Sequence, residues 1–458
     1  MPEKNEEEKV GIRSDVKKMA PEGAVETYRT LRESVIEKEF KFFSNFKVEK
    51  DKVVFCNVWG YGDNPKWIAE SYVRLLKRTT NMSNSAIAEK VYFITAKPPL
   101  KEEMNEEANC ITFLKNNSKS AIYALATAGV WVDCNRKESY IQKRRNQIYI
   151  QTWHGGLPLK RLELDCRDYL PQEYIRNALR DTAMTDIYIS NSEYCNELYR
   201  RAFGFKKKIF CFGSARMDPL IRPVRFSAGA MREKLLSRLP ESVFRRLLNE
   251  AYIKAFRMKE KYKEGDEQKD HLRINIAVYA PTYRDIQSDV QERGNELGGS
   301  IINALEARFG GKFVVVTRFH PLAMSRVKHA NAAYLQFDEK ERIIDGNEFS
   351  DLYSIMAAAD VLITDYSNCM FEMSYVGKPV FLYATDVEQY DDTRGMYFEY
   401  DKLPFPIAHN ERELYENILD YDKEDYRNRQ KEFFEDIGVT ENGKAADKVA
   451  KLIERLVQ

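Results

Sequence analysis

The chain has 458 residues, 43% of them hydrophobic, and its 72 basic and 71 acidic side chains leave a formal net charge of +1. That length supports two domains with a core each, and the balanced charge excludes a global field for nucleic acid, so any anion binding must come from local clusters. No run approaches the roughly 18 apolar residues of a membrane span, the opening MPEKNEEEKV lacks the features of a secretion signal, and the seven cysteines include no CxxC pair, which together point to a cytosolic chain with core thiols rather than disulfides or zinc.

In chain order, residues 1–20 are polar and charged and read as a frayed segment. PEGAVETYRTLRESVIEKEFKFF carries apolar residues at helical spacing and completes an N-terminal segment 1–45. A strand, turn and helix pattern then repeats. KVVFCNVW is a strand, GYGDNP a turn and KWIAESYVRLLKR a helix. KVYFITA, GVWVDC, QIYIQTW and DIYISNS are further strands, with a helix at SAIYALATAG. Short apolar strands alternating with helices predict a parallel, doubly wound sheet over 46–225. Residues 226–270 contain no strand and predict a helical insert. Alternation returns over 271–430 with INIAVYAPTYRD, KFVVVTRFHPL, VLITDYSN and KPVFLYATD. An amphipathic helix, GKAADKVAKLIERLV, lies in the closing segment 431–458.

Ligands of open parallel sheets sit outside the carboxyl ends of the strands, so the residues after each strand carry the functional reading. His154, with Gly155, Gly156 and Lys160, follows QIYIQTW. Asn191, Ser192 and Glu193 follow DIYIS as a helix N-cap with an acid in the first turn. Arg216 and Asp218 follow IFCF; Thr282, Arg284 and Asp285 follow IAVYA; His320 follows FVVVTRF; Asp365, Ser367, Asn368 and Glu372 follow VLIT. Six polar strand ends, two with histidine and two with arginine, favour an anionic ligand in an inter-domain cleft. In DYSNCMFE, a helix start with hydroxyl and amide side chains can cradle a phosphate, and Glu372, one turn on, can reach ribose hydroxyls. An ordinary helix with Ser367 as N-cap fits the same residues. No GxGxxG follows a strand and there is no GxxxxGK[ST]. Metal-ligand spacing is absent: His320 and His329 have no cysteine company, and the acidic pair in YDDT at 390–393 reads as a solvated loop.

The stretches QIYIQTWHGGLPLK, ISNSEYCNELYRRAFGF, GSARMDPL, APTYRD, TRFHPL, LYSIMAAADVLITDYSNCMFEMSYVGKPVFLY and DVEQYDDTRGMYFEYDKLPFPI resemble, in order and spacing over about residues 50–430, the CDP-glycerol glycerophosphotransferases of the teichoic acid polymerase and primase type. The resemblance implies a GT-B fold, two Rossmann-like domains facing across a cleft: an acceptor domain at 46–225 and a CDP-alditol donor domain at 271–430. It implies metal-independent transfer of glycerol phosphate, or ribitol phosphate, from CDP-glycerol or CDP-ribitol to a polymer or lipid-linked acceptor, with no cofactor and no nucleic acid partner. By motif position, His154 is the implied general base. Arg284 and His320 hold the diphosphate, with His320 also counted as catalytic. Ser367 and Asn368 match a diphosphate-binding Ser pair, and Glu372 matches the ribose-holding Asp. Lys160, Arg216, Asp218, Thr282 and Asp365 are further cleft candidates.

The chain departs from the family pattern in several places. WHGGLPLK has one residue more than the usual WHGTPLK, PFP at 404–406 replaces PGP, and Ala215 replaces the Pro of GxPR. The same fold supports sugar transfer from a nucleotide-sugar or a binding subunit that has kept the cleft; retention of His154 and His320 argues against the latter. The implied place is the cytoplasm, at the inner face of the membrane. The surface offered for peripheral contact is the insert, where Arg245, Arg246, Lys254 and Arg257 accompany Leu248 and Phe256. A packed helix pair with a solvated basic face is the competing reading.

Overall fold

A computed structural model describes residues 22–225, 228–259, 273–282, 299–319, 340–387 and 395–458. The short apolar segments pair into two sheets. The first contains β1 (Glu49–Cys56), β2 (Val91–Thr95), β3 (Thr112–Lys115), β4 (Ala128–Asp133), β5 (Ile148–Gln151), β6 (Ile187–Ser190) and β7 (Lys208–Cys211), in the order β3-β2-β1-β4-β5-β6-β7. The second contains β8 (Ile274–Ala280), β9 (Lys312–Thr317), β10 (Ile343–Asp345), β11 (Val361–Thr364), β12 (Val380–Tyr383) and β13 (Ile407–Ala408), in the order β10-β9-β8-β11-β12-β13. All the pairings are parallel. β4, β8 and β11 are buried along their whole length, because helices cover both faces of each sheet; this is why they read as continuous apolar runs rather than alternating ones. Strand order reverses between β1 and β4 in the first sheet, and between β8 and β11 in the second, the positions where a doubly wound sheet opens a crevice.

The two sheets turn their carboxyl ends toward each other, the GT-B arrangement. The turn after β1 meets the second half: the Asp63 N–H donates to Asp351 Oδ1 at 3.2 Å, and Lys66 pairs with Asp351 at 3.6 Å. The Ser350 N–H donates to Glu103 Oε1 at 2.7 Å. The N-terminal helix Glu22–Phe43 buries Ile36 and Phe40 beside Trp131 of β4.

The insert forms helices Ala228–Leu236 and Glu241–Lys259; Leu235, Val243 and Leu247 from them and Leu239 from the turn between are buried in the core of the second sheet. Arg232 donates to the Ala358 carbonyl at 2.8 Å and pairs with Asp360 at 3.0 Å. The closing helix Ala445–Val457 crosses back and packs Val449, Ala450 and Ile453 into the core of the first sheet. Helix Lys423–Ile437 stays with the second. Among the described residues, no helix is long and apolar enough to cross a membrane.

Candidate active site

β5 ends at Gln151, and the chain turns sharply before His154. Trp153 adopts a left-handed backbone, φ +54°, a conformation that costs a bulky residue on the order of 1–3 kcal/mol unless its surroundings impose it. They do so here. The Trp153 N–H donates to Gln151 Oε1 at 2.9 Å, and its carbonyl accepts from Asn64 Nδ2 at 3.0 Å. Leu157 and Leu159, both buried, anchor the far end of the loop in the core, each burial stabilising by about 1.5–3 kcal/mol.

The His154 ring stacks on Trp153, centroids 4.4 Å apart. Its Nδ1 lies 2.9 Å from the Cys134 carbonyl. A carbonyl only accepts, so Nδ1 carries the proton and Nε2 keeps a lone pair in the neutral ring. His154 is exposed toward the cleft, yet crowding walls desolvate the imidazolium, and this lowers the pKa below the ordinary 6.5. The Cys134 carbonyl and Asp63 act in the opposite sense, while Arg216 and Arg136 add to the lowering. The result is a neutral imidazole at physiological pH, the form a general base needs.

Facing it is a buried ionic cluster that joins the two halves. Arg216, in the short turn Ala215–Met217, donates through Nε to Glu372 Oε1 at 2.9 Å, pairs with the same oxygen through Nη2, and pairs with Asp63 Oδ2 through Nη1 at 3.1 Å. The Tyr353 hydroxyl donates to Glu372 Oε2, and the Gly156 N–H donates to Oε1 at 3.3 Å. Arg216 also stands 4.6 Å over the Tyr353 ring. Glu372 thus belongs to this network: three donors reach Oε1, and one acceptor position remains on Oε2.

The two glycines after His154 are required by close approach. A Cβ on Gly155 would come within 2.8 Å of Asn368 Nδ2, and one on Gly156 within 2.8 Å of Asn191 Nδ2. Asn368 Oδ1 accepts the Leu159 N–H at 3.0 Å, so this residue holds the histidine loop against the start of helix Cys369–Tyr375. Asn368, not Ser367, is the N-cap there, and it makes no side-chain cap bond. The Ser367 hydroxyl accepts from Cys369 Sγ at 3.1 Å.

The remaining sequence candidates divide. Thr282 and Asp365 meet at the β8/β11 switch point, the Thr282 N–H and hydroxyl donating to Asp365 Oδ1 at 2.8 and 2.6 Å; Asp365 also accepts the Tyr366 N–H on that oxygen, so it ties the strand ends together. Lys160 lies in a two-stranded contact with Met396. Asp218 is a correction: it is buried and accepts the Ala445 and Ala446 N–H groups at 3.0 and 2.9 Å. It caps the closing helix instead of lining the cleft, and burial pushes its carboxyl up to about 6. Arg284, His320 and residues 390–393 lie outside the described residues, as does the segment 1–20. Sequence reading missed Asp63, Asn64 and Tyr353. The turn GYGDNP hides the first two: the helix starts inside it, at Asp63, rather than at Lys66. Among the described residues, no group of three or more His, Cys, Asp or Glu is placed to hold a metal ion.

The model of one protein family, CDP-glycerol:poly(glycerophosphate) glycerophosphotransferase, matches residues 38–240 and 246–455. The chain belongs to that family. It is 29% identical over 426 residues to a teichoic acid poly(glycerol phosphate) polymerase of Staphylococcus epidermidis, covering 89% of this chain and 51% of that protein. It is 24% identical to the teichoic acid glycerol-phosphate transferase of Staphylococcus aureus, covering 93% and 98%. The solved structure of the wall teichoic acid polymerase TagF superimposes with a TM-score of 0.66 at 26% identity, covering 94% of this glycerophosphotransferase-family chain and 98% of TagF. The chain therefore spans about half the length of the first of these relatives and nearly all of the second.

Proposed function

We propose that this chain transfers glycerol phosphate from CDP-glycerol to an acceptor hydroxyl on a teichoic-acid-like or capsular polymer, releasing CMP. The observation that carries the reading is His154: a neutral ring, its Nδ1 proton fixed on the Cys134 carbonyl and its Nε2 lone pair free, on the cleft side opposite the helix that carries Glu372. Nε2 takes the proton of the acceptor hydroxyl as its oxygen attacks the β-phosphorus. The bond from that phosphorus to the bridging oxygen breaks, and the electron pair leaves on CMP. Negative charge grows on the leaving group, where Arg284 and His320 are proposed to meet it and where arginine can fork onto two phosphate oxygens. Ser367 and Asn368 are proposed to approach the same diphosphate, and Glu372 the ribose through Oε2. The donor lies on the second half and the acceptor on the first.

Family membership, the teichoic acid enzymes among the relatives, and a solved TagF structure soaked with CDPG support this reading. Contact with the inner face of the membrane is part of the proposal. Helix Glu241–Lys259 exposes Tyr252, Ile253 and Phe256, the kind of apolar face that inserts at an interface. Several of the insert's cations are occupied within the fold: Arg246 pairs with Glu341, and Lys254 donates to the Glu306 carbonyl at 3.0 Å. The deciding experiment incubates purified protein with CDP-glycerol, CDP-ribitol or a UDP-sugar and a glycerol phosphate oligomer, and reads nucleotide release and product mass. CMP release with growth by glycerol phosphate is expected. Growth by ribitol phosphate alone, or release of UDP, would replace the donor assignment.

A further inference from the structure

The loop that carries His154 belongs to the first half by sequence but is bonded to the second. Its Gly156 and Leu159 N–H groups donate to Glu372 and Asn368, and its far end meets residues 395–397, between β12 and β13. We propose that Tyr397 is a positioning residue whose hydroxyl latches the far end of this loop to the second half and so holds the His154 lone pair in its working place; this rests on the reading of His154 as the base.

The latch begins in the backbone. The Tyr397 N–H donates to the Leu159 carbonyl at 2.8 Å, and the Arg161 N–H donates to the Gly395 carbonyl at 3.1 Å, a short antiparallel pairing about Lys160 and Met396. The Tyr397 hydroxyl then reaches across the next turn of the first half. It accepts the Leu162 N–H at 2.9 Å and donates to Asp165 Oδ2 at 2.7 Å. Asp165 is itself held by Arg201, whose Nε and Nη2 donate to its Oδ2 at 3.0 and 2.9 Å. On the other side, the next residue anchors the strip in the second half. The Phe398 ring packs on Phe371 and Phe433, centroids 5.9 and 5.5 Å apart, and Phe371 precedes Glu372 on helix Cys369–Tyr375. One phenol oxygen therefore binds two groups of the first half, on a segment seated against the helix that carries Glu372. The loop needs such a fixing. Two glycines follow His154, and glycine backbone has the widest conformational freedom. Burial of Leu157 and Leu159 holds the loop in the core, but apolar burial is non-directional; hydrogen bonds are directional and set where along the cleft the loop stops.

The test measures steady-state transfer from CDP-glycerol to a glycerol phosphate oligomer in the parent, Tyr397→Phe, His154→Ala and the double variant. Phenylalanine keeps the ring and its packing and removes one oxygen, leaving the Leu162 N–H without its acceptor. Loss of these bonds is expected to lower kcat about tenfold, with the calorimetric Kd for CDP-glycerol within about twofold and Tm near the parent's. In the His154→Ala background the same change is expected to leave the residual turnover unaltered, because a residue acting through His154 then has nothing to act on. Gly395→Ala reaches the same latch by another route: Gly395 has φ +71°, and a Cβ there would lie 3.3 Å from Arg161 Nε. It should show the same pattern, and it decides the matter if Tyr397→Phe folds poorly. Parental kcat in the folded variants, or an equal fold-loss with and without His154, overturns the proposal. Parental turnover in His154→Ala overturns the base assignment and this role with it, whereas an inert Tyr397→Phe leaves the base assignment standing.

Discussion

At the residue scale the site turns on one lone pair. Replacing His154 with Ala removes it, and kcat should fall by at least about a hundredfold, while calorimetric binding of CDP-glycerol survives, since the ring is assigned to the acceptor. Near-parental turnover with both substrates saturating would remove His154 from the mechanism. Desolvation holds the ring's pKa below 6.5, and a base works only when deprotonated. A plot of kcat/KM against pH should therefore rise with an acid limb centred below 6.5 and be flat through neutrality; a limb above 7 contradicts the crowding described. Glu372 answers to two demands. Glu372→Gln leaves Arg216 buried with Asp63 as its remaining anion, and breaking a buried pair costs about 3–5 kcal/mol. Thermal unfolding should show a clear fall in Tm, alongside a raised donor KM if Oε2 holds the ribose. A variant with parental Tm would mean that the cluster does not hold the halves.

At the element scale, the histidine loop works because its two glycines let neighbouring asparagines come close. Gly156→Ala places a methyl group against Asn191 Nδ2 and the Glu372 carboxylate. Both belong to bonded networks and yield little, so the variant should lose activity more steeply than stability, as the loop retreats from the second half. Equal kcat in Gly156→Ala and parent would show that the loop's position is not critical. The pair Gly155–Gly156 was legible as a signal beside His154, and so were the central strands, whose buried apolar runs leave little alternative. The edge strands of the second sheet were not: β10 and β13 are three and two residues long, too short for any periodicity. Asp63 and Asn64 were hidden for another reason. Asp-Asn-Pro after Gly reads as a turn, and only the tertiary contacts of Asn64 with Trp153 and Arg216 draw the helix back into it. Asp218 misled in the other direction: a carboxylate after a strand looks like a ligand, but its partner is a helix start more than two hundred residues away, at Ala445 and Ala446.

At the scale of the whole molecule, the proposed donor and acceptor sites draw on side chains from both halves. Chelation by EDTA should leave turnover unchanged, because cationic side chains are assigned the charge of the leaving group; loss of activity restored by Mg²⁺ or Mn²⁺ would show that an ion shares this work. The chain passes between the halves near residues 222–225 and again at 438–444. The two passages lie side by side: Arg225 pairs with Asp447 at 3.0 Å, and a Cβ on Gly443 would meet the Arg222 side chain at 2.7 Å. Two adjacent covalent tethers behave as a pair of pins on one edge of a door. They permit swing about the line joining them and oppose twist and sliding. Opening the cleft for a polymer end then requires the contacts that bridge the halves to part, among them the Asp63–Arg216–Glu372 cluster and those of Asp351 to Asp63 and Lys66, Ser350 to Glu103 and Asn368 to Leu159, and on closing the same pins return His154 to the same place. A chain cut between 438 and 444 would keep both sheets and the site residues but lose one pin, so the returning lone pair would sweep a wider volume with each stroke.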